Sequence, residues 1–467
     1  MNMKKIAILF FSLALPLMIS GCLLPGGPSE TAKQVELEVW GVFDSSDAYE
    51  EIIAAYELLR PNIKVNYKKL RWEEYQDELL QAWAEDRGPD VFLVHNTWVK
   101  NYESKILPMP KKLKVPTLVV TGSSFNKKKE TKIIESNTPS IEQIKNGFVD
   151  VVWRDANLEN NIYGLPLSVD NLALFYNRSL LDAAGVVEPP TTWQELTEVA
   201  KKITRQDAEG NIIRSAIALG GADNIFRSAD ILSLLMMQNG TQMTKGGEVS
   251  FDEVSSYDPG YYPGERALEF YTDFSLPLKE VYTWNSDLPE ATDAFLQGKV
   301  AMIFGFSYSL PYIESQGQRL NFAVAPMLHI NKDGSDGQVG KSINFASYWL
   351  LSAAKKTAYP NEAWDFILFA TTNSYEDAQG ERIYQAESYL EKTSRPPALR
   401  SLINKFRQRQ DLEPFVSQSL TAESWYRGTD PFSAEEIFKQ MIADVVSGRK
   451  TAREAIRFGV RAVQSTY

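Results

Sequence analysis

Cysteine and histidine are the scarcest reactive residues in this chain, whose 467 residues include one cysteine and two histidines. A single cysteine excludes a disulfide within the chain, so the folded part must depend on its apolar core. The same scarcity argues against a His/Cys metal centre and against a Ser/His catalytic set. No G-x-S-x-G, H-E-x-x-H, P-loop or C-x-x-C motif occurs. We therefore expect no catalytic residues, no metal and no cofactor.

Positive charge is also in short supply. Lysine and arginine number 49 against 60 aspartates and glutamates, which gives a net charge of −11. Without a dense basic tract, nucleic acid is not an expected partner. Aromatic residues, by contrast, make up 12% of the chain and include ten tryptophans. Tryptophan is common where flat, amphipathic ligands are held.

Long apolar runs are missing except at the beginning of the chain. Residues 6–19 are almost entirely apolar and follow Lys4 and Lys5, the pattern of a secretory signal segment. The run is shorter than the roughly 20 residues that a membrane-spanning helix needs. Cys22 comes directly after it, and residues 23–33 have the Pro/Gly/Ser composition of a flexible tether.

Short strands and amphipathic helices alternate through the rest of the chain. This order predicts an α/β protein in which mainly parallel sheets are covered by helices on both faces. Strands are predicted at residues 35–40, 63–67, 90–94, 171–177, 299–304, 321–327 and 342–352, with a glycine-rich turn at 331–340. Helices are predicted at residues 48–59, 73–85, 196–203, 229–237, 361–372 and 434–447.

Residues 108–140 differ from this alternation. Lysines at 111, 112, 114 and 127–129 are interspersed with short apolar pieces such as VPTLVV. We interpret the segment as a surface insertion in the form of a solvated loop. Contact of this basic cluster with anionic lipid or with a partner is the alternative.

Several stretches resemble family 1 extracellular solute-binding proteins of ABC importers, the group similar to maltose-binding protein. VWGVFDSSDAYEEIIAAYELLRPNIKV is similar to the first βαβ unit of that family, and GPDVFLVHNTWV to its third strand and following loop. NIYGLPLSVDNLALFYNRSLLDAAGV, followed by PPTTWQELTEVAKKI, is the most specific match. AFLQGKVAMIFGFSYSLPYI and VVSGRKTAREAI resemble later elements, so the likeness extends from about residue 35 to 467. Residues 108–140 depart from it.

The resemblance implies a two-lobed, periplasmic-binding-protein-like fold of type II, in which hinge strands join two α/β lobes around a ligand cleft. Each lobe is then discontinuous in sequence. The predicted division is a lipoprotein signal peptide at 1–21, a lipid-anchored linker at 22–34, lobe 1 at 35–168 with the insertion 108–140, lobe 2 at 169–330, the second part of lobe 1 at 331–405, and the C-terminal helices of lobe 2 at 406–467.

Ile19, Ser20, Gly21 and Cys22 resemble the lipobox of bacterial lipoproteins, which implies cleavage before Cys22 and acylation of its thiol. Two or three acyl chains would hold the protein firmly on the extracytoplasmic side of a membrane. The family resemblance implies a monomeric receptor without enzymatic activity. It would capture a sugar or oligosaccharide and deliver it to the permease subunits of an ABC transporter.

Two other functions remain open at this point. A secreted glycosidase also places carboxylates near aromatic rings, in a pair about 5 to 9.5 Å apart, and a sequence does not measure that separation. A ligand-binding subunit of a signalling receptor is the second alternative. Stacked rings with carboxylates and amides suit carbohydrate. An anionic cargo would require arginines, and Arg71, Arg154 and Arg427 belong to no phosphate-binding motif.

Loops that follow predicted strands, together with one late aromatic segment, supply the predicted cleft residues. In the family, the loop after the first strand touches ligand, the loop after KVAMIF carries an aromatic platform, and a polar position precedes the crossover strand. Alternatives stay open: a core position for Trp40, a helix cap for Asp44 and a turn for Asp170. The predicted ligand contacts are Trp40, Asp44, Ser45, Asn96, Trp98, Asp170, Phe306, Tyr308, Tyr348, Trp425 and Tyr426.

Overall fold

The computed structural model describes residues 34–121, 128–256, 258–330 and 343–467. The predicted signal peptide, Cys22 and the glycine-rich turn at 331–340 lie outside these residues. Within the described ranges, no helix is both long and apolar enough to cross a membrane.

The strands occur in the following order along the chain: β1 (Val35–Val42), β2 (Ile63–Leu70), β3 (Val91–His95), β4 (Ile106–Leu107), β5 (Lys112–Thr121), β6 (Lys128–Asn137), β7 (Asn157–Leu158), β8 (Asn161–Ile162), β9 (Asp170–Asn171), β10 (Ala173–Asn177), β11 (Arg205–Gln206), β12 (Ile212–Ile217), β13 (Thr244–Lys245), β14 (Glu248–Val249), β15 (Val300–Gly305), β16 (Phe322–Pro326), β17 (Asn344–Ser347), β18 (Trp349–Ala354), β19 (Ser374–Glu376), β20 (Arg382–Tyr384) and β21 (Ala422–Glu423).

The helices are α1 (Glu50–Leu59), α2 (Trp72–Ala84), α3 (Ile141–Gly147), α4 (Asp150–Ala156), α5 (Arg178–Ala183), α6 (Trp193–Ile203), α7 (Ser228–Gln238), α8 (Pro263–Asp273), α9 (Ala291–Leu296), α10 (Leu310–Gln316), α11 (Pro360–Thr372), α12 (Ala386–Thr393), α13 (Arg400–Phe406), α14 (Glu413–Gln418), α15 (Pro431–Val446) and α16 (Ala452–Gln464).

The first sheet has the strand order β2-β1-β3-β18-β4 and forms the centre of one lobe. β1 pairs in parallel with β2 and β3, as the alternation of strands and helices predicts. β18 runs antiparallel to β3, with Trp349 opposite His95. The carboxyl ends of the parallel strands therefore meet the beginning of β18 at one edge of the sheet.

The second sheet has the order β11-β12-β15-β10-β16 and forms the centre of the other lobe. β12 and β15 are parallel, but β10 is antiparallel to both β15 and β16. The prediction that each sheet is mainly parallel is therefore corrected, because both sheets are mixed. The physical reason is that β10 and β18 enter from the other lobe at the edge where the parallel strands end, and so must run in the opposite direction.

A small sheet with the order β21-β17-β9 connects the two lobes. Buried asparagines hold it together. The Nδ2 group of Asn344 donates to Asn171 Oδ1 at 2.8 Å and to the Leu172 carbonyl at 2.7 Å. Asn171 Nδ2 in turn donates to the Phe415 carbonyl at 2.9 Å. These strands lie near the predicted lobe boundaries after residues 168, 330 and 405, which remain predictions.

The lysine-rich insertion contains a β-hairpin, and the interpretation as a loop is wrong. β5 and β6 pair antiparallel from Lys112 opposite Asn137 to Thr121 opposite Lys128. The apolar pieces between the lysines are rich in β-branched residues, which favour this pairing. At the base of the hairpin, Leu113 and Val115 are only 3% and 2% exposed.

Candidate functional site

Aromatic side chains gather at the edge where the strands of the first sheet meet. Phe43 follows β1, Trp72 begins α2 directly after β2, Trp98 follows β3, and Trp349 begins β18. We call these four residues the aromatic cluster. Trp72 stacks on Phe43 and on Trp98, with ring centroids 5.7 and 5.5 Å apart. Trp349 meets the other three edge-on at 5.9, 5.8 and 5.1 Å.

The aromatic cluster is layered from the interior to the solvent. Trp98 is 3% exposed, whereas Trp72 and Phe43 are 40% and 50% exposed. Phe43 also has a φ of 68°, in the left-handed region that non-glycine residues rarely occupy. Strained backbone of this kind is concentrated at functional sites. A rigid, partly exposed aromatic wall is thus built at the end of the sheet where ligands bind in open α/β folds.

The other lobe contributes aromatic side chains of its own near the cleft. After β15, the fully buried Phe306 stacks on Tyr308 at 5.6 Å, and Tyr308 is 40% exposed. Phe432, at the start of α15, lies 5.1 Å from the ring of Trp98 and 6.5 Å from that of Trp72. Because α15 packs on α7 and α8 of the second lobe, these contacts join the two lobes across the cleft.

Asp170 positions the loop that carries Tyr308. Its carboxylate is 4% exposed and accepts hydrogen bonds from the Ser307 amide (2.9 Å), the Ser307 hydroxyl (2.8 Å), the Tyr308 amide (3.1 Å) and the Asn171 amide (2.8 Å). Burial raises the pKa of Asp170, although these hydrogen bonds and the charge of Arg395 oppose that shift. Its oxygens are therefore engaged by the connecting sheet and the loop after β15.

A second buried carboxylate, Asp155 at the end of α4, organises four neighbours. It accepts hydrogen bonds from Asn96 Nδ2 (2.9 Å), the Tyr348 hydroxyl (2.9 Å), the Ser424 hydroxyl (2.5 Å) and Arg427 Nη2 (2.6 Å). Two of the predicted ligand contacts, Asn96 and Tyr348, thus point to Asp155 and are 3% and 2% exposed. The neighbouring Trp349 is the ring that reaches the cleft.

Asp44 forms an ion pair beside the aromatic cluster. Arg395 Nη2 lies 2.7 Å from Asp44 Oδ1, and the Tyr389 hydroxyl donates to Asp44 Oδ2 at 2.8 Å. Together with Ser168 and Trp349, these side chains line a small pocket. Among the residues that the structure describes, Arg395 Nε is buried without a hydrogen-bond partner. The pocket thus combines a carboxylate, a hydroxyl and an unpaired N–H donor next to an indole ring.

Two further polar side chains border the cleft. His95 forms hydrogen bonds with Thr97 Oγ1 (2.8 Å) and Ser347 Oγ (3.0 Å). Burial, and secondarily the positive charge of Arg227, lower the pKa of His95 to about 3, so the imidazole is neutral. Arg227 itself lies 5.5 Å above the ring of Phe306 and donates through Nε to Asp230 at 2.6 Å. This arginine is therefore already paired with a carboxylate.

Other predicted residues lie in the body of the lobes or at the surface. Trp40 is 5% exposed and lies under the ammonium group of Lys68 at 4.4 Å. Trp425 is 8% exposed and donates through Nε1 to Ser233, while Tyr426 is 5% exposed and bonds to Thr466. Ser45 is exposed and donates to Asp47.

The structure therefore brings Asp44, Trp98, Asp170, Phe306 and Tyr308 to the cleft, and ligand contact by each predicted residue stays a prediction. Sequence reasoning missed Phe43, Trp72, Phe432, Arg227 and Arg395 and did not select Trp349. A signal for Trp72 was available, since it directly follows a strand that runs parallel to β1. Phe43 lies beside Asp44 in the same predicted loop. Arg395 and Phe432 come from distant segments that only the folded chain brings near.

Two mixed sheets flanked by helices, facing each other across an aromatic cleft, define a two-lobed α/β fold with a cleft between the lobes. The chain belongs to the bacterial extracellular solute-binding protein family, whose model matches residues 43–377. The family predicted from the sequence is thereby confirmed.

Solved structures share the architecture over nearly the whole chain. The GacH receptor of Streptomyces glaucescens, solved unliganded and with acarbose, is 18% identical with a TM-score of 0.67, and the match covers 93% of this chain and 99% of that one. The cyclic α-maltosyl-1,6-maltose-binding protein of Arthrobacter globiformis has the same TM-score at 16% identity, with coverage of 93% and 99%. These likenesses confirm the predicted two-lobed α/β fold.

Curated relatives match smaller parts of the chain. The galactooligosaccharide-binding protein of Bacillus subtilis is 22% identical over 356 residues, or 74% of this chain and 73% of the relative. A binding protein of Brucella abortus is 21% identical over 285 residues, which is 59% of this chain. The match spans 58% of the length of that relative.

Proposed function

We propose that this protein is a receptor for a sugar or oligosaccharide, which it binds in the interlobe cleft and releases to the permease of an ABC importer. The observation that carries the proposal is the aromatic cluster. Sugar rings present C–H faces that pack on aromatic planes, and Trp72 and Phe43 offer such planes at 40% and 50% exposure.

The polar groups around the aromatic cluster suit hydroxyl recognition. Asp44 accepts and Arg395 donates hydrogen bonds, and the two lie 2.7 Å apart within one pocket. Because the arginines near the cleft are paired, Arg395 with Asp44 and Arg227 with Asp230, their charges are balanced. A balanced site favours an uncharged, polyhydroxylated ligand over a phosphate or carboxylate.

The proposal includes binding without turnover. A glycosidase needs one carboxylic acid to protonate the leaving group and a second carboxylate across the scissile bond. Asp170 is engaged by four donors, and Asp44 is held by Arg395 and Tyr389. Neither side chain is poised as a general acid, and the family and its structural neighbours are binding proteins.

Calorimetry tests the proposal directly. We expect 1:1 binding to at least one member of a panel of tagatose, maltose, maltotetraose, acarbose and a galactooligosaccharide. The absence of heat and of thermal stabilisation with every member would count against a sugar receptor. Chromatography of the bound oligosaccharide after prolonged incubation should return it intact, and shortened products would refute the proposed lack of catalysis.

Anchoring and delivery are separate parts of the proposal. Cleavage before Cys22 and acylation of its thiol would tether the receptor beside its permease and raise its local concentration there. Mass spectrometry of the protein from membranes should find an acylated N-terminal Cys22, and Cys22→Ala should release the protein into the soluble fraction. Delivery predicts that deleting the gene abolishes uptake of the labelled ligand by intact cells.

A further inference from the structure

We propose that the hairpin formed by β5 and β6, here called the basic hairpin, docks on an anionic phospholipid surface. The hairpin is not needed for the aromatic cleft. Its two strands carry five lysines and two glutamates, a net charge of +3 in a chain whose total is −11. The hairpin therefore carries a net positive charge although the chain as a whole is acidic.

At the base of the basic hairpin, β5 contributes buried residues whereas β6 faces solvent. Leu113 and Val115 of β5 are buried, and the Lys114 amide donates to Asn361 Oδ1 at the start of α11, at 3.1 Å. On β6, Ile134 lies opposite Val115 and Ile133 opposite Pro116, and these two isoleucines are 42% and 68% exposed. Exposed aliphatic residues within a basic element are the combination that interfacial membrane-binding segments use.

The lysines at the base of the basic hairpin are exposed to solvent. Glu135 lies 2.6 Å from Lys112 and 3.4 Å from Lys114, yet the side chains of these two lysines stay 60% and 65% exposed. Lys132 is also exposed. Salt limits the repulsion from the negative remainder of the protein, because charges more than about 10 Å apart are largely screened at 0.1 M. The local sign of the charge therefore governs contact with a lipid surface.

The position of the hairpin in the fold supports a membrane as its partner. β18 begins at Trp349 in the cleft and ends at Ala354, so α11 and Asn361 lie at the opposite end of the first sheet. β1 runs parallel to β3, whose carboxyl end is at the cleft, so Val35 also lies at that opposite end. The base of the basic hairpin and the segment that leads back to Cys22 therefore leave the same side of the lobe.

A random-coil chain with as many residues as separate Cys22 from Val35 would span roughly 20 Å on average. A lipid-anchored receptor would thus hold the basic hairpin within reach of the headgroups. Clusters of lysine close to a membrane anchor are attracted to acidic headgroups when they lie within about one Debye length of the surface.

Vesicle sedimentation tests the inference without the acyl chains. The chain from residue 22 onward, carrying Cys22→Ser, is mixed with vesicles of phosphatidylcholine alone or with about 30% phosphatidylglycerol. We expect binding to the anionic vesicles only, with at least a tenfold weaker partition when salt is raised from about 0.05 to 0.5 M. Binding to the anionic vesicles should be lost when glutamine replaces Lys112, Lys114, Lys128, Lys129 and Lys132.

A matched variant shows whether the position of the charge matters. It replaces the same number of exposed lysines elsewhere by glutamine, namely Lys69, Lys202, Lys245, Lys279 and Lys299. This variant should keep vesicle binding, and both variants should keep the melting temperature of the parent. Failure of the parent to bind, or equal loss in both variants, would overturn the inference. A dimer seen by light scattering that the hairpin substitutions convert to a monomer would also overturn the inference, because the hairpin would then bind a second copy of the chain.

Discussion

At the scale of single residues, exposure separates side chains that can meet a ligand from those that support them. Phe43 and Trp72 are open to solvent, whereas Trp98 is buried behind them and Asp170 is held by four donors. Phe43 and Trp72 can contact a ligand, whereas Trp98 and Asp170 hold the surrounding structure in position. A substitution in each group should therefore have a different consequence.

Trp72→Ala should weaken sugar binding about tenfold or more, because the exposed face of the indole is lost together with its stacking on Phe43 and Trp98. The melting temperature should fall less than it would for a fully buried tryptophan, since the ring is 40% exposed. Calorimetry with the best ligand of the panel measures this effect. Tyr375→Ala, which removes a 53% exposed ring from β19, is the control and should leave affinity unchanged. Equal affinities for all three proteins would exclude the aromatic cluster as the ligand platform.

His95 should stay neutral far below its usual range. Its folded pKa of about 3 lies below the unfolded value of 6.5, so the unfolded chain binds more protons between these pH values. The resulting stability is present above pH 6.5 and is lost as the pH falls toward 3. In a His329→Gln variant, which leaves a single histidine, NMR should show no imidazole titration between pH 7 and 4.5. A midpoint near 6.5 would contradict the buried neutral state.

At the scale of elements, the connections between the lobes depend on buried polar groups. Asp155 joins α4 to the loop after β3, to Tyr348 between β17 and β18, and to the segment after β21. A buried carboxylate with charged and neutral donors is costly to neutralise, because each donor loses a strong acceptor.

Asp155→Asn should lower the melting temperature by roughly 2 to 3 °C, which corresponds to about 2 to 3 kcal/mol in a chain of this size. Asp150→Asn is a close control, because Asp150 lies on the same helix and also pairs with an arginine at 2.6 Å. Its side chain is 58% exposed, whereas that of Asp155 is 1% exposed, so the control should change little. Scanning calorimetry compares the two, and similar shifts would show that burial does not matter here.

The elements also show what the sequence could and could not foretell. Residues with strong periodicity, such as those of β1, α1 and α2, form the predicted strand and helices within a few residues. The direction of β10 and β18 was not predicted, because strand direction depends on where the chain returns from the other lobe. The hairpin at β5 and β6 was missed, since lysine-rich composition masked the β-branched residues between the charges.

The predicted site residues also divide into those that the sequence could place and those that it could not. Residues in loops after strands, such as Asp44 and Trp98, could be placed at the cleft edge by topology. The sequence did not indicate which of the neighbours Tyr348 and Trp349 points into the cleft. Tyr348 was predicted, whereas Trp349 is the ring that reaches the cleft. Arg395 lies 351 residues beyond Asp44 and carries no local signal of the ion pair.

At the scale of the whole molecule, the lobes touch across the cleft through Phe432, which packs on Trp72 and Trp98. A ligand that bridges the lobes favours closure by its differential affinity for the closed state. Contacts that persist without ligand shift the same equilibrium toward closure.

Phe432→Ala should therefore open the unliganded protein, because an apolar contact between the lobes is removed. Small-angle scattering should give a larger radius of gyration than the parent without ligand, and saturating ligand should bring both to the same value. Tyr375→Ala again serves as the control and should scatter like the parent. An unchanged radius in Phe432→Ala would show that this contact does not hold the lobes together.

The connecting sheet has a consequence for how the chain can be divided. β9, β17 and β21 come from three distant parts of the sequence and pair side by side. A single cut in an exposed loop between β9 and β21 leaves each fragment with at least one strand of this sheet, so the fragments would stay associated. Neither lobe corresponds to one contiguous stretch that could be cloned alone. The protein is thus suited to split-reporter designs, in which two inactive halves regain binding when they are brought together.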